Sequence, residues 1–240
     1  MKAHSFWGNP TEINYDSILD HFSGTSIHSS KTSSVPLAQY WKDTESRLTE
    51  LFENICVNST SVELYFEYPT KSYDRSKSSM TDLMIIVEGA KIAIEAKYTE
   101  YSKSEYELVE KWIQGGKGAD HRQKVLNHWL QILKPFLKED IVKFDKLPYQ
   151  FVHRSASACK DNDSIAFVVY QLFYDDDNDN KLGEFIQLIQ KSIETLNPKD
   201  RLRYIFMLVR VVKYLHVDKK EVFMRMRNEN IYEFGVVKYV

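Results

Sequence analysis

Met80-Thr81-Asp82-Leu83-Met84-Ile85-Ile86-Val87-Glu88-Gly89-Ala90-Lys91-Ile92-Ala93-Ile94-Glu95-Ala96-Lys97-Tyr98 is the stretch on which the reading of this chain turns. Two runs of β-formers, 82–87 and 91–98, flank a short polar break at Glu88-Gly89-Ala90-Lys91, which predicts a hairpin turning at Gly89-Ala90. With Glu88 opposite Lys91, Met84 falls opposite Glu95 and Asp82 opposite Lys97. Side chains alternate along a strand and opposed residues share a face, so Asp82, Glu95 and Lys97 belong on one side. Asp82 and Glu95 become diagonal neighbours, roughly 7–8 Å apart. Leu83, Ile85, Val87, Ile92, Ile94 and Ala96 fill the other side and predict a core face. An acid-x-Lys triplet alone is weak, since about one chance match is expected in a chain of this length and ordinary composition. Asp218-Lys219-Lys220 is such a match, but no strand pair precedes it.

Outward from the hairpin the pattern is α/β. Leu37, Trp41, Leu48, Leu51, Phe52 and Ile55 sit at helical spacing and predict a helix over 36–54. VELYFEY (62–68) reads as a strand, and the polar PTKSYDRSKSS follows as a loop. Residues 99–118, ending in Gly115-Gly116-Lys117-Gly118, read as loop. Asp120 is placed to cap a helix to Lys134, and a further helix is expected over 148–159. IAFVVYQLF (165–173) and RYIFMLVRVV read as buried strands, separated by an amphipathic helix over 181–196 that Asn197-Pro198 ends. After His216 the pattern fits a helix and a hairpin equally. Residues 1–35 are rich in Ser and Thr and read as an N-terminal arm. The remainder, 36–240, reads as a single domain with a helical insertion at about 119–138.

The composition limits the classes available. The chain has 240 residues, 43% hydrophobic and 13% aromatic, which is enough for a packed core. Two cysteines, Cys56 and Cys159, imply no disulfide framework and predict a reducing, cytoplasmic setting. There is no signal-peptide pattern and no run near the ~18 apolar residues of a membrane span. A net charge of −2 leaves nucleic acid open, because the placement of charge decides.

Asp82 followed by Glu95-Ala96-Lys97 on the next strand resembles the PD-(D/E)xK nuclease superfamily, whose core is restriction-endonuclease-like. The element order also fits: helix 37–54, strands 62–68, 82–87 and 91–98, helix 148–159, strand 165–173. Thr81 stands where the motif's proline is named. The resemblance implies a mixed central sheet flanked by helices and Mg²⁺-dependent hydrolysis of DNA phosphodiesters, with Mn²⁺ as substitute. Asp82 and Glu95 would hold the ion, and Lys97 would serve the attacking water, with Asp82 and Lys97 facing solvent. The family often adds a glutamate from the first helix. Helical phase selects Glu45 over Glu50 and Glu53, with an ion pair to Arg47 or Lys42 as the alternative. The family also often places a polar residue on the helix after the hairpin. Gln150 and Arg154 are four apart and share a face; Gln150 would contact Lys97 or a phosphate and Arg154 would clamp a phosphate, against the alternative of a solvated helix edge. The expected partner is DNA, with no membrane, and a homodimer is compatible with this reading.

Other signals are weaker. Lys71, Arg75 and Lys77 could track a DNA backbone or belong to an ordinary solvated loop. The last 40 residues hold nine Lys or Arg against four Asp or Glu. His121 and His128, seven apart, suit partly buried histidines better than a zinc site, which prefers shorter helical spacing. Asp175, Asp177 and Asp179 fail as a calcium loop, since Asn180 and Ile186 stand where Gly and Glu are needed. No phosphate-loop or nucleophile-elbow motif is present. Two further readings compete with the enzyme: a non-catalytic DNA- or protein-binding module on the same fold, and a structural protein in which Glu-Ala-Lys is a surface ion pair.

Overall fold

The central hairpin turns one residue earlier than its sequence suggests. Strands β3 (Ser79–Val87) and β4 (Ala90–Lys97) join through Glu88 and Gly89, and Gly89 takes the positive φ of 81° that the connection needs. Val87 pairs with Ala90 and Leu83 with Ile94, so each β3 residue meets a partner two positions earlier than a turn at Gly89-Ala90 would give. A shift of two keeps every side chain on its expected face, where a shift of one would have reversed them all. Continuing the register by one residue places Asp82 level with Glu95 rather than Lys97.

The computed structural model describes residues 2–4, 15–24, 32–73, 78–101, 107–115, 118–139, 144–177, 179–218 and 221–240. Arg75 and Lys77 lie outside the described residues. The other strands are β1 (Lys2–His4), β2 (Val62–Thr70), β5 (Ile165–Tyr174), β6 (Leu202–Tyr214) and β7 (Tyr232–Tyr239). They form one mixed sheet in sequence order, β1 to β7. β2, β3 and β4 are antiparallel neighbours, β4, β5 and β6 run parallel, and β7 returns antiparallel at the edge.

Helices cover both faces. Against one face lie α1 (Tyr15–Gly24), α2 (Ser34–Tyr40), α3 (Thr44–Ile55) and α8 (Val222–Asn228), which bury Leu19, Leu37, Leu51 and Met226 with Leu83, Ile85, Ile92, Ile94 and Ala96. Against the other lie α4 (Val109–Gln114), α5 (Ala119–Leu133), α6 (Tyr149–Cys159) and α7 (Asp179–Leu196), packed on Met84, Ala93, Val168, Tyr170 and Leu172. The apolar face read from the hairpin is thus the α2–α3 core. The interior strands β4 and β5 are apolar on both faces because both are covered.

Three segments differ from the sequence reading. Residues 15–24 are helical and contribute buried Ile18 and Leu19 to the core, so 1–35 is not arm throughout. The helix expected over 36–54 breaks after Tyr40. Asp43 accepts a hydrogen bond from Ser46 N and caps α3, and Thr44 Oγ1 donates to the carbonyl of buried Trp41 at 2.6 Å. A short helix, α4, forms within 99–118, and after His216 the chain makes both a helix and a strand. Asp120 lies in the first turn of α5 behind Gly118, which occupies the cap position with φ 114°.

The edge strand is fastened by one side chain. Buried Gln39 on α2 donates from Nε2 to the Tyr232 carbonyl and accepts at Oε1 from Ile231 N and Tyr232 N. A net contribution of about 1 kcal/mol per hydrogen bond predicts that Gln39→Ala lowers stability by about 3 kcal/mol. Urea denaturation measures this, and hydrogen exchange should locate the loss at residues 231–234.

Candidate functional site

Strands β3 and β4 stop pairing beyond Leu83 and Ile94, which opens a gap at the carboxyl end of β4. Asp82 fills it: its Oδ2 accepts from Ala96 N at 2.7 Å, replacing the ladder bond that the separation removes. Glu95 and Lys97 project on the α6 side of β4. Lys97 Nζ lies 2.9 Å from Glu95 Oε1, and Gln150 Nε2 donates to the same oxygen at 2.7 Å. Arg154 Nη2 pairs with Glu95 Oε2, while its Nη1 donates to Met80 O at 2.5 Å and Thr81 Oγ1 at 2.9 Å. The helical spacing of four brings Gln150 and Arg154 to one carboxylate, one on each oxygen.

The site is more buried than expected. Glu95 is 1% and Arg154 3% exposed, and the Lys97 side chain is 12% exposed. Asp82 and Gln150 are partly exposed and form the mouth. Arg154 is therefore an internal clamp on Glu95 rather than a surface phosphate contact. Gln150 touches Glu95, not Lys97.

Glu45 does not take part. It is exposed on α3, and α3 packs on the opposite face of the sheet from Glu95 and α6. The phase was carried from Trp41 across the break before Thr44, so it set Glu45 among the buried stripe, whereas in α3 Glu45 is exposed and Glu50 is half-buried. Neither Lys42 nor Arg47 pairs with Glu45; Arg47 Nη1 binds Glu50 Oε2 at 3.0 Å. The third acid near the site is Glu67 on β2, which the sequence reading missed. It is partly buried, stands opposite Asp82 in the β2–β3 register, and adopts φ 48° within a strand. Such a backbone costs a non-glycine residue on the order of 1–3 kcal/mol. Its position in the adjoining strand, on the alternation of Glu63 and Tyr65, was the available signal.

The charges interact strongly. Burial first, and then the Glu95 carboxylate, raise the Asp82 pKa to about 8. Burial would raise Glu95 too, but Arg154 and Lys97 outweigh it and hold Glu95 down at about 2. Burial opposes the charge on Lys97, yet Glu95 and Asp82 raise its pKa, so it remains an ammonium. Glu67 is raised by burial and by Glu95, against Arg154. His153, whose Nδ1 lies 2.7 Å from Ser79 Oγ, is pushed down to about 3 by burial and Arg154 and is neutral. Three carboxylates thus face two cations, leaving Asp82 uncompensated.

This imbalance bears on a metal. Among the described residues no three His, Cys, Asp or Glu side chains converge as a ligand set. Mg²⁺ needs fewer, taking one or two carboxylates with water and phosphate oxygens. Asp82 Oδ1 has no hydrogen-bond donor among the described residues, and the site lacks one positive charge. Those features fit a divalent ion held by Asp82 and Glu95. Glu95 Oε1 would exchange one of its donors, Gln150 or Lys97, for it.

The remaining sequence candidates lie elsewhere. Lys71 is exposed, and its carbonyl accepts from Lys160 Nζ at 2.8 Å. His121 Nδ1 lies 2.9 Å from Tyr73 OH, and His128 stacks on that ring. Asp175 accepts from Tyr98 OH at 2.7 Å, joining the ends of β4 and β5. No described helix is long and apolar enough to cross a membrane.

A family model described as domain of unknown function (DUF6946) matches residues 15–212, and the chain belongs to that family. No curated protein and no solved structure matches the chain.

The raised Asp82 pKa has a signed consequence for stability. Between the unfolded value near 3.8 and about 8, the folded state binds the extra proton, so Asp82 makes stability fall as pH rises. The limiting slope is about 1.4 kcal/mol per pH unit. Asp82→Asn should remove this contribution in metal-free buffer. The comparison is cleanest from pH 6.5 to 8, above the unfolded pKa of His153. Urea denaturation of both proteins across that range would show the wild type losing stability relative to the variant.

Proposed function

From the geometry at the carboxyl end of β4, we propose that the protein is a metal-dependent nuclease of the PD-(D/E)xK type that hydrolyses DNA phosphodiesters. The observation that carries this reading is the Asp82–Glu95–Lys97 arrangement: two carboxylates on adjacent strands at the point of separation, with an ammonium bonded to one of them. The order α3, β2–β3–β4 antiparallel, α6, then β5 parallel to β4 supports a restriction-endonuclease-like core.

The chain's own groups divide the work. Glu95 is kept ionised by Arg154, so it stays a ligand at neutral pH. Asp82 gives up its proton when a cation replaces the missing positive charge. A divalent ion bound here offsets the charge of the phosphodiester and lowers the pKa of its water. Lys97, held as an ammonium, stabilises the negative charge that develops on phosphorus-bound oxygens. Gln150, at the mouth, donates to Glu95 Oε1 and holds the carboxylate in place. A raised Lys97 pKa suits this electrostatic role better than that of a general base.

One observation favours a second reading. Both Glu95 oxygens are occupied by Arg154, Gln150 and Lys97, and a network closed in this way is also what a non-catalytic DNA- or protein-binding module on this fold would keep.

Calorimetric titration with Mg²⁺ and Mn²⁺, with DNA present, separates the two. The nuclease reading expects binding that Asp82→Asn abolishes, and cleavage that Lys97→Met lowers by about two to four powers of ten. Methionine keeps the packing of a side chain that is largely buried, so circular dichroism should show an intact fold. Wild-type protein that binds no divalent ion with DNA present would transfer the assignment to the binding module.

A further inference from the structure

The hydrogen bond at the mouth of the carboxylate site decides how a cation enters it. Glu95 is 1% exposed, and both of its oxygens are occupied. Arg154 pairs with Oε2, while Lys97 Nζ at 2.9 Å and Gln150 Nε2 at 2.7 Å share Oε1. A carboxylate oxygen offers two lone-pair positions, so these two donors fill Oε1. An ion reaches Glu95 only when one of the three groups lets go.

The three differ in what release costs. Arg154 is 3% exposed and also donates to Met80 O at 2.5 Å and Thr81 Oγ1 at 2.9 Å, so it is fixed from β3 as well. The Lys97 side chain is 12% exposed, and an ammonium that loses its carboxylate at such burial is strongly disfavoured. Gln150 is neutral and partly exposed, and its Oε1 accepts no hydrogen bond among the described residues. Its amide can exchange Glu95 for water at the smallest loss. The helix need not move for this. On one side of Gln150, Tyr149 stacks on Trp112 with ring centroids 3.6 Å apart; on the other, Phe151 is 1% exposed and stacks on Tyr204. Opening is a rotation of one side chain in the first turn of α6.

Resting on the nuclease reading, we infer that Gln150 is a gate on the metal: its amide occupies the Glu95 lone pair that a divalent ion needs, and the ion binds by displacing it. Metal binding is then a competition. The apparent affinity is the intrinsic one reduced by the fraction of molecules in which Gln150 has let go. Lys97 and Arg154 stay on Glu95 throughout, so the charge balance that keeps it ionised survives the exchange.

The test replaces Gln150 with methionine, which keeps the reach of the side chain but cannot donate. Loss of a hydrogen bond to a charged group should tighten Mg²⁺ binding about tenfold to a hundredfold, read by calorimetric titration without DNA. Circular dichroism should show an intact fold. In ¹⁵N-labelled wild type, the Gln150 side-chain amide should be protected from exchange with water in EDTA and should lose that protection at Mg²⁺ saturation. Asp82→Asn combined with Gln150→Met should bind no more tightly than Asp82→Asn, which locates the gain at this site. Equal or weaker binding by Gln150→Met overturns the gate, and so does an amide that stays protected at saturation. If either accompanies wild-type binding that Asp82→Asn abolishes, the gate falls and the nuclease reading stands. Binding by Gln150→Met alone supports the gate. If neither wild type nor Gln150→Met binds Mg²⁺, even with DNA present, both readings fall.

Discussion

Glu95 is an ionised carboxylate at 1% exposure, and its neighbourhood is arranged around the cost of that charge. Leaving it unpaired would cost several kcal/mol, so α6 brings Arg154 against one oxygen and Gln150 against the other, while Lys97 closes from the same strand. The second guanidinium nitrogen of Arg154 reaches back to Met80 and Thr81 on β3. One side chain thereby fixes α6, β3 and β4 relative to one another. It does so where the β3–β4 ladder has ended and backbone pairing no longer holds the strands together.

That separation has its own requirement. Ala96 N loses its ladder partner, and Asp82 supplies a carboxylate oxygen in its place. The two acids are consequently brought together by different needs: Asp82 to satisfy a backbone donor, Glu95 to meet Arg154. Their mutual repulsion, with burial, falls on Asp82, which is the only one of the pair without a bonded cation. The raised Asp82 pKa is the result. Glu67 beside it adopts φ 48°.

The opposite face of the sheet meets a different demand. There the α2–α3 helices cover an apolar surface with few polar groups. Trp41 Nε1 donates to Gln171 Oε1 at 2.9 Å within the core, and Gln39 holds the first residues of the edge strand. Lys42 and Lys213 stand exposed at the margin of this side. The sheet thus separates a buried carboxylate site from solvated lysines on its other face.

The sequence by itself determined the hairpin, its apolar face and the common side of Asp82, Glu95 and Lys97, because period-two alternation is a local property that survives a register error of two residues. It also determined that Gln150 and Arg154 act together, since spacing of four on a helix fixes a shared face. Only the tertiary structure decided what those faces meet. The sheet face that α3 covers excludes Glu45, and the pairing of β2 beside β3 sets Glu67, whose face alternation with Glu63 and Tyr65 was legible, next to Asp82. Burial was likewise illegible: Arg154 reads as a surface cation until α6 closes over Glu95. Elements with strong periods were read within a few residues, whereas the break at Trp41–Asp43 and the short helices α1 and α4 depend on caps and on core contacts made by distant parts of the chain.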